Sequence, residues 1–502
     1  MSNTIAELLQ NGKAAAPAVL APAGPGLSYA ELRRQVEHLA GQLAALGIGR
    51  DDRVAIVLPN GAEAAIAFLA VAACATAAPL NPVYREDEFR FYLEDLRAKA
   101  LLTLPDAAAA AHAAAAGEAI RLALAGAPGS LTLLVDGQAV EPQAPVYATP
   151  DATALVLHTS GTTARPKIVP LSQRNVTVSA ASIAASLSLT AADRCLNVMP
   201  LFHIHGLIGA LLASLEAGAA VVCAPGFDAF RFFTWVDEAA PTWYTAVPTM
   251  HQLILSRAGR QADVIARRKL RLIRSSSAAL PPVVMAQLEE TFGAPVIEAY
   301  GMTEASHQMA TNPLPPAQRK PGSVGLGAGV QVAIMDDDGR LLDSGATGEV
   351  VIKGGNVTAG YESNPEANAA SFTSGWFRTG DQGYQDGDGY LFLTGRLKEI
   401  INRGGEKISP REVDEVLLQH AAVAQAVAFA VPHARLGEEV AAAVILREGA
   451  TADEGELREH AARLLADFKV PKTILIVADI PKGPTGKLAR IGLAEKLGLA
   501  KP

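Results

Sequence analysis

Apolar and polar positions along the first 220 residues follow two spacings, one typical of amphipathic helices and one typical of buried strands. Residues 28–31 (Ser-Tyr-Ala-Glu) form a capping-box sequence that opens an amphipathic stretch reaching about Leu46. Further helices are predicted at 63–73, 172–185 and 207–216, and strands at 53–58, 153–157, 194–198 and 219–223. Because strands alternate with helices, the pattern indicates parallel sheets covered by helices, which is an α/β fold.

The pattern changes after about residue 321. Short strands are predicted at 330–335, 348–353 and 389–394, between Gly, Asp and Asn turns, and indicate a small β-rich subdomain. A charged segment starts at Arg396 and leads into an α+β unit, with strands predicted at 424–429 and 440–446 and a helix at 453–465. We place the boundary at 395–398, which gives an N-terminal domain of residues 1–395 and a C-terminal domain of residues 396–502.

Composition restricts the class of protein. The 502 residues are 50% hydrophobic and 19% charged, which is typical of a globular chain with about two or three domains. The formal net charge of −8 argues against a nucleic-acid-binding surface. Three widely spaced cysteines favour a reducing compartment and exclude a disulfide framework.

The run 64–80 is the most membrane-like segment of the chain. It is dominated by Ala, is interrupted by Thr76, and is short for a bilayer span, so we expect a buried helix. The first residues lack the basic and apolar regions of a signal peptide. A cytoplasmic protein without membrane contact is therefore expected.

A hydroxyl- and glycine-rich segment follows the predicted strand at 153–157. Residues 159–167 read Thr-Ser-Gly-Thr-Thr-Ala-Arg-Pro-Lys. Such a turn can point backbone N–H groups and hydroxyls at one anion while the cations neutralise its charge, which predicts a polyphosphate site. The usual phosphate loop does not fit, because Pro166 precedes Lys167 and Ile168 follows it. Taken alone, a segment of this kind is more often a solvated linker.

Four further motifs follow this segment in order. They read Glu-Ala-Tyr-Gly-Met-Thr-Glu at 298–304, Trp-Phe-Arg-Thr-Gly-Asp at 376–381, Gly-Arg-Leu-Lys-Glu at 395–399 and Pro-Lys-Gly-Pro-Thr-Gly-Lys at 481–487. The set, with its order and spacing, resembles the adenylate-forming superfamily of acyl-CoA synthetases, luciferases and the adenylation domains of peptide synthetases. The resemblance covers nearly the whole chain.

This resemblance implies a fold and a reaction. The fold is α/β, with a large N-terminal domain of two α/β subdomains plus a small β-rich subdomain, and a small mobile α+β C-terminal domain. The reaction uses ATP, Mg²⁺ and coenzyme A. A carboxylate attacks the α-phosphate, pyrophosphate leaves, and a thiol then displaces AMP from the acyl-adenylate. Because the first step brings anions together, cations and hydrogen-bond donors must neutralise them.

The resemblance also implies roles for individual residues. Lys487 is expected to bridge the attacking carboxylate and the α-phosphate, Glu304 to bind Mg²⁺, and Thr303 to contact the α-phosphate. Lys398 is expected at the hinge of the C-terminal domain, with Gly404 and Gly405 lining a tunnel for pantetheine. The residues expected to bind ATP are Thr159, Ser160, Gly161, Thr162, Thr163, Lys167, Ala278, Glu298, Tyr300, Asp381 and Arg396.

The acid-binding positions indicate a polar substrate. Relatives that use aromatic or fatty acids, such as 4-coumarate ligase, have Tyr, Gly and Pro at the positions matching His205, Ser277 and His307. Burying two imidazoles and a hydroxyl unpaired would cost about 1–3 kcal/mol for each group, so a polar guest is implied. A short dicarboxylic acid fits, and His203 is expected in the same pocket. A protonated imidazole would bind such an acid more strongly, so we expect activity to fall as the pocket histidines lose their protons.

Several alternatives remain open. The segments 200–206, 274–278 and 305–309 look most like those of oxalate–CoA ligases, which makes oxalate the expected acid. Malonyl-CoA synthetases share a similar His-x-His-Gly segment, so malonate or another short acid is an alternative. An adenylation enzyme that loads a carrier protein is an alternative of another class, and a non-catalytic nucleotide-binding relative is a third. His203 and His205 could also ligate a metal, although the sequence shows no third ligand.

Overall fold

The computed structural model describes residues 2–22, 24, 26–115, 119–159, 166–481 and 490–499. Within these ranges the strands form two large sheets accompanied by helices, a small sheet after residue 330 and another after residue 400. The α/β class is therefore confirmed, together with its two α/β subdomains, its β-rich subdomain and its C-terminal α+β unit.

The first large sheet carries the residues on which function depends. Its central pairings are parallel, and the pairings at both edges are antiparallel. Because the carboxyl ends of parallel strands meet at one edge, the residues that follow neighbouring strands are brought together there. In spatial order, its strands within the described ranges are Leu326–Gly327, His307–Thr311, Val296–Met302, Leu272–Ser276, Trp243–Ala246, Arg194–Asn197, Ala220–Cys223, Pro17–Leu20 and Leu27–Ser28.

The second large sheet contains the two strands that flank the predicted phosphate segment. Its first two strands form an antiparallel pair on either side of that segment, and its central strands are parallel. In spatial order, the described strands are Ile168–Ser172, Thr153–His158, Thr76–Pro79, Arg53–Ile56, Ala100–Thr103, Ile120–Ala125, Thr132–Val135 and Gln138–Ala139.

An alanine-rich helix, Ala62–Cys74, lies between the two large sheets. It contacts the strand Thr153–His158 of one sheet and the strand Ala220–Cys223 of the other, and all of its residues except Glu63 are buried. Small side chains let both sheets approach the helix, which explains why the run is apolar on every side. The predicted buried helix is confirmed. Within the described ranges, every helix falls short of the length and apolar character that a bilayer crossing requires.

The remaining helices cover the sheets and the C-terminal unit. The helix Tyr29–Ala45 begins at the predicted capping box, in which Ser28 and Glu31 bond to each other's backbone N–H groups. The other helices of the described chain are Ile5–Leu8, Glu86–Leu96, Ala109–Ala114, Gln173–Ser186, Ala213–Glu216, Phe232–Ala239, Pro248–Ala258, Ala262–Arg267, Pro282–Phe292, Pro365–Ser371, Pro410–Leu418, Glu454–Leu464 and Leu493–Lys496, with short 3₁₀ turns at Thr303–Ala305 and Asp467–Lys469.

One predicted helix has a different form. The pattern at 207–216 predicts an α-helix, but the structure forms a π-helix over His205–Leu212 that continues as an α-helix over Ala213–Glu216. Gly206 lies against the carbonyl group of Pro200, where a Cβ atom would collide. π-Helical turns are rare and often occur at functional sites, and this one begins at a predicted acid-binding residue.

The predicted domain boundary lies between two smaller sheets along the chain. The β-rich sheet consists of Gln331–Met335, Gly348–Lys353, Phe372–Thr373, Trp376–Gln385 and Leu391–Arg396. The C-terminal sheet consists of Ile401–Arg403, Glu406–Ile408, Val423–His433, Gly437–Leu446 and Thr473–Ile476. One sheet therefore ends at Arg396 and the next begins at Ile401. The domain limits 1–395 and 396–502 stay a prediction.

Candidate active site

The candidate acid pocket forms at the carboxyl edge of the first sheet. Ser277 directly follows the strand Leu272–Ser276, and Thr303 directly follows the neighbouring parallel strand Val296–Met302. His307 opens the antiparallel strand next to it. His205, at the start of the π-helix, completes the group.

The structure brings His205, Ser277 and His307 together. His205 Nδ1 lies 3.0 Å from Ser277 Oγ. The two imidazole rings, which we call the imidazole pair, stack with centroids 4.8 Å apart and planes 25° from parallel. Both rings are buried. The resemblance grouped these three residues, and their side chains form one continuous polar cluster.

The backbone at the cluster adopts an unusual conformation. Ser277 has a φ of +75°, Ser306 of +49° and His307 of +96°. Residues other than Gly rarely adopt such angles, which cost about 1–3 kcal/mol each and concentrate at functional sites. The pairing of Met302 with His307 follows an irregularity in the register, and Gly301 lies so close to the His307 carbonyl group that a Cβ atom would collide with it.

Arg274 lies behind the imidazole pair and was missed from the sequence. Its Nη1 atom is 3.0 Å from His307 Nε2 and 3.4 Å from His205 Nε2, and its Nη2 donates to Gln308 Oε1 at 3.1 Å. The residue is 0% exposed, and burial lowers the pKa of its guanidinium to about 10. The sequence feature that could have indicated Arg274 is its position inside an apolar strand, directly after Leu272 and Ile273.

His203 is positioned differently from the imidazole pair. Its Nδ1 atom accepts a hydrogen bond from the backbone N–H of His205 at 3.3 Å, so this ring supports the start of the π-helix. Within the residues that the structure describes, no group of three His, Cys, Asp or Glu side chains is arranged to hold a metal ion. The placement of His203 in the acid pocket stays a prediction.

The predicted phosphate segment connects two antiparallel strands of the second sheet. Its ends are joined because the Thr159 backbone N–H donates to the Lys167 carbonyl at 2.9 Å, and the Lys167 N–H donates to Thr159 Oγ1 at 3.1 Å. Ser160, Gly161, Thr162 and Thr163 lie outside the described residues. Phosphate binding by this segment stays a prediction.

Tyr361 connects Lys167 to Glu304, and sequence reasoning missed it. The Lys167 ammonium lies 4.3 Å from the centroid of the Tyr361 ring, within the range of a cation–π contact. The Tyr361 hydroxyl donates to Glu304 Oε1 at 2.8 Å. Glu304 and Tyr361 are both buried. Among the described residues, no lysine or arginine forms an ion pair with the Glu304 carboxylate, so that carboxylate is suited to a hard cation.

A second phenol–carboxylate pair involves two predicted ATP-binding residues. The Tyr300 hydroxyl donates to Asp381 Oδ2, and Arg396 Nε lies 3.2 Å from Asp381 Oδ1. Burial and the neighbouring Asp381 raise the pKa of Tyr300 far above its usual range, so its phenol stays protonated and remains a donor. A carboxylate has about four lone-pair sites, so Asp381 can accept further hydrogen bonds.

Glu298 and Ala278 belong to the turn after the strand Leu272–Ser276. Glu298 Oε1 accepts from the backbone N–H of Leu280 at 3.0 Å, and burial raises the pKa of Glu298 to about 7. Ala278 is exposed in the same turn. Glu298 therefore anchors this turn, while contact of Glu298 and Ala278 with ATP stays a prediction.

The predicted hinge and tunnel residues lie at the start of the C-terminal unit. Lys398 is exposed between the two small sheets. Gly404 and Gly405 form the turn between Ile401–Arg403 and Glu406–Ile408 with φ of +61° and +101°, so the turn itself requires glycine. Lys487 lies outside the described residues. The roles of these four residues stay predictions.

Comparisons with known proteins find matches over most of the chain. Residues 9–362 match the model of AMP-binding enzymes, and residues 412–487 match that of the AMP-binding enzyme C-terminal domain. The chain is 48% identical to an oxalate–CoA ligase of Arabidopsis thaliana, with 100% of both chains covered. It is 38% identical to a sulfoacetate–CoA ligase of Cupriavidus necator, covering 95% of this chain and 94% of the relative. ATP-bound MatB from Rhodopseudomonas palustris has a TM-score of 0.88 at 30% identity, with 99% of both chains covered.

The imidazole pair leaves no space for a side chain at Gly209. A Cβ atom there would lie 2.6 Å from His307 Nε2 and 3.1 Å from His205 Cδ2. We therefore expect Gly209→Ala to lower the free energy of unfolding by about 1–3 kcal/mol through overpacking, as measured by denaturant titration. Gly259→Ala is the matched control, because a Cβ atom at Gly259 meets nothing within 4 Å. Equal stability of the two variants would contradict the packing described here.

Proposed function

Because the chain belongs to the AMP-binding enzyme family of acyl-CoA synthetases, we propose that the acid it activates is oxalate. Its reaction is that of an AMP-forming acid–CoA ligase, and the proposed equation is oxalate + ATP + CoA → oxalyl-CoA + AMP + diphosphate. The observation that carries the proposal is the convergence of two buried imidazoles, His205 and His307, with the half-buried Ser277.

Oxalate suits this cluster because its two carboxylates are on adjacent carbons. When one carboxylate reacts, the other lies within a few ångströms and needs donors to replace the water that it loses. The Ser277 hydroxyl and the His307 ring would be such donors, with His205 Nδ1 holding Ser277 in place. The stacked rings and the close approach of Gly209 keep the pocket short.

The relatives support an acid with a second anionic group. A chain named oxalate–CoA ligase and one named sulfoacetate–CoA ligase both match this protein over nearly its whole length. In oxalate, the second carboxylate is bonded directly to the reacting carboxylate carbon. In sulfoacetate, one CH₂ carbon separates the sulfonate from that carbon. Malonate or another short acid of this kind is therefore the alternative substrate.

The ATP-binding residues follow from the same reaction. Residues 159–163 and Lys167 would hold the β- and γ-phosphates, and Thr303 would contact the α-phosphate. Asp381 would accept from the ribose hydroxyls, with Arg396 beside it. Glu304 would hold Mg²⁺ together with phosphate oxygens, since Mg²⁺ in such sites uses one or two carboxylates and the substrate's phosphates. When bound, Mg²⁺ neutralises charge on the phosphates.

The two half-reactions assign separate roles to the C-terminal unit, and Lys487 acts in the first. Lys487 would stabilise the charge that develops between the carboxylate and the α-phosphate. Rotation about Lys398 would then bring Gly404 and Gly405 to the path of the pantetheine thiol. Transfer to a carrier protein in place of CoA is the alternative for this step.

An acid panel tests the proposal. ATP–pyrophosphate exchange is measured with oxalate, malonate, sulfoacetate, acetate and hexanoate, followed by thioester formation with CoA. We expect kcat/KM for oxalate to exceed that for acetate by at least about 100-fold, because acetate leaves the buried donors unpaired. A preference for acetate or hexanoate would exclude the dicarboxylate pocket. A preference for malonate or sulfoacetate would replace oxalate, and exchange without transfer to CoA would favour a carrier protein.

Glu304→Gln tests the metal site. An amide oxygen binds a hard cation more weakly than a carboxylate does, so the variant should need more Mg²⁺ for half-maximal exchange and should have a lower maximal rate. Tyr361→Phe is the matched control, because it removes the hydrogen bond to Glu304 but keeps the carboxylate. We expect it to shift the Mg²⁺ midpoint much less. An unchanged midpoint in Glu304→Gln would remove Glu304 from the metal site.

Ser277→Gly separates strain from recognition. Glycine relieves the φ of +75° but removes the hydrogen bond to the buried His205 ring, so the free energy of unfolding should not rise in this variant. Loss of the hydroxyl should lower kcat/KM for oxalate about 10-fold or more. Ser374→Gly is the control, because Ser374 is exposed, has a φ of +52° and lies outside the site. It should gain stability at unchanged activity. Full activity of Ser277→Gly would show that the hydroxyl does not contact the acid.

A further inference from the structure

Arg274 is a buried charge that the reaction described above does not use. It is 0% exposed, and its guanidinium contacts two imidazoles and the amide oxygen of Gln308. Among the described residues, no carboxylate forms an ion pair with it. A buried cation without an anion is costly for the fold. A substrate that brings its own negative charge would offset this cost when it binds.

The hydrogen bonds give both imidazoles a defined proton position. A guanidinium only donates, so Nε2 of His307 and Nε2 of His205 accept from Arg274 Nη1. The Thr245 hydroxyl, 2.6 Å from His205 Nε2, is the closer donor to that nitrogen, and the longer Arg274 contact shares the same lone pair. A neutral ring with Nε2 as acceptor carries its proton on Nδ1. His205 Nδ1–H therefore donates to Ser277 Oγ and leaves the Ser277 hydroxyl hydrogen for the acid.

We propose that Arg274 is a positioning residue that makes the pocket select acids with a second anionic group. It holds the imidazole pair in its neutral Nδ1–H form and places a permanent positive charge behind the rings. The proposal rests on the proposed function only in taking the imidazole pair as the place where the acid binds. It does not depend on which anionic acid is the substrate.

Two further titratable groups around Arg274 carry no charge at neutral pH. Burial raises the pKa of the Cys195 thiol well above its usual value, and burial lowers the pKa of His251, on the helix Pro248–Ala258, to about 3. The strand His307–Thr311 and the π-helix contribute only the imidazole pair and the Gln308 amide. Arg274 is thus the permanent cation of the cluster, while a protonated histidine in the pocket stays a prediction that the pH profile below tests.

The test compares Arg274→Met and Arg274→Lys with the wild-type enzyme. Arg271→Met is the control, since Arg271 precedes the same strand and pairs with Asp193 outside the pocket. Exchange is measured with oxalate and with acetate across about pH 6–8.5, the range in which histidine titrates. The wild-type kcat/KM for oxalate should vary little across this range.

Arg274→Met should lower kcat/KM for oxalate about 100-fold, mainly through KM, and that for acetate less than about threefold. Its remaining activity with oxalate should fall as pH rises, because an imidazolium must now supply the charge. Arg274→Lys should keep most of the preference for oxalate, while Arg271→Met should affect both acids equally. If Arg274→Met does not fold, the acid preference and pH profile of Arg274→Lys decide the question.

Equal losses for both acids in Arg274→Met, with an unchanged pH profile, would show a purely structural role and overturn the proposal. Loss of acid preference in Arg274→Lys as complete as in Arg274→Met would also overturn it. If the wild-type enzyme prefers malonate, the oxalate assignment fails but the proposed role of Arg274 does not. The same comparison is then made with malonate and propionate. A wild-type preference for acids without a second anionic group would overturn both the oxalate assignment and the proposed role of Arg274.

Discussion

Burial of a positive charge at Arg274 is the constraint around which the acid pocket is organised. The guanidinium lies in the first sheet with apolar neighbours, and its hydrogen bonds go to the imidazole pair and Gln308. Two of these partners form further hydrogen bonds, His205 with Thr245 and Ser277, and Gln308 with Ser186. The polar network thus extends from the core of the sheet to the pocket. It orients every donor before an acid arrives, which reduces the reorganisation needed on binding.

The nucleotide side of the site uses a different arrangement for its carboxylates. Asp381 and Glu304 each accept a hydrogen bond from a buried tyrosine, Tyr300 and Tyr361. Burial and the adjacent carboxylate raise the pKa of both phenols, so they stay neutral donors. A neutral donor orients a carboxylate without cancelling its charge. Among the described residues, Glu304 has no ion-paired cation and Asp381 pairs with Arg396, whereas the acid pocket presents donors and a cation.

Local patterns predicted the fold, while contacts between distant residues decided the details of the site. The alternation of strands and helices, the capping box at Ser28 and the buried helix Ala62–Cys74 depend on neighbouring residues, and they were predicted within a few positions. The π-helix was not, because its spacing of apolar residues resembles that of an α-helix. Arg274 and Tyr361 were missed because their partners are far away in sequence. Nothing in an apolar strand indicates that its arginine faces inward.

The left-handed backbone at His307 limits how this pocket can change in evolution. The resemblance implies proline at this position in relatives that use aromatic or fatty acids, and a proline ring holds φ near −65°, whereas His307 has a φ of +96°. A single substitution to proline would therefore conflict with the chain path itself, and not only with the lost imidazole. The strand start and the turn at Ser306 would have to change in the same step. In this chain, a proline at position 307 would thus require a backbone rearrangement, and exchange of the side chain alone would not produce it.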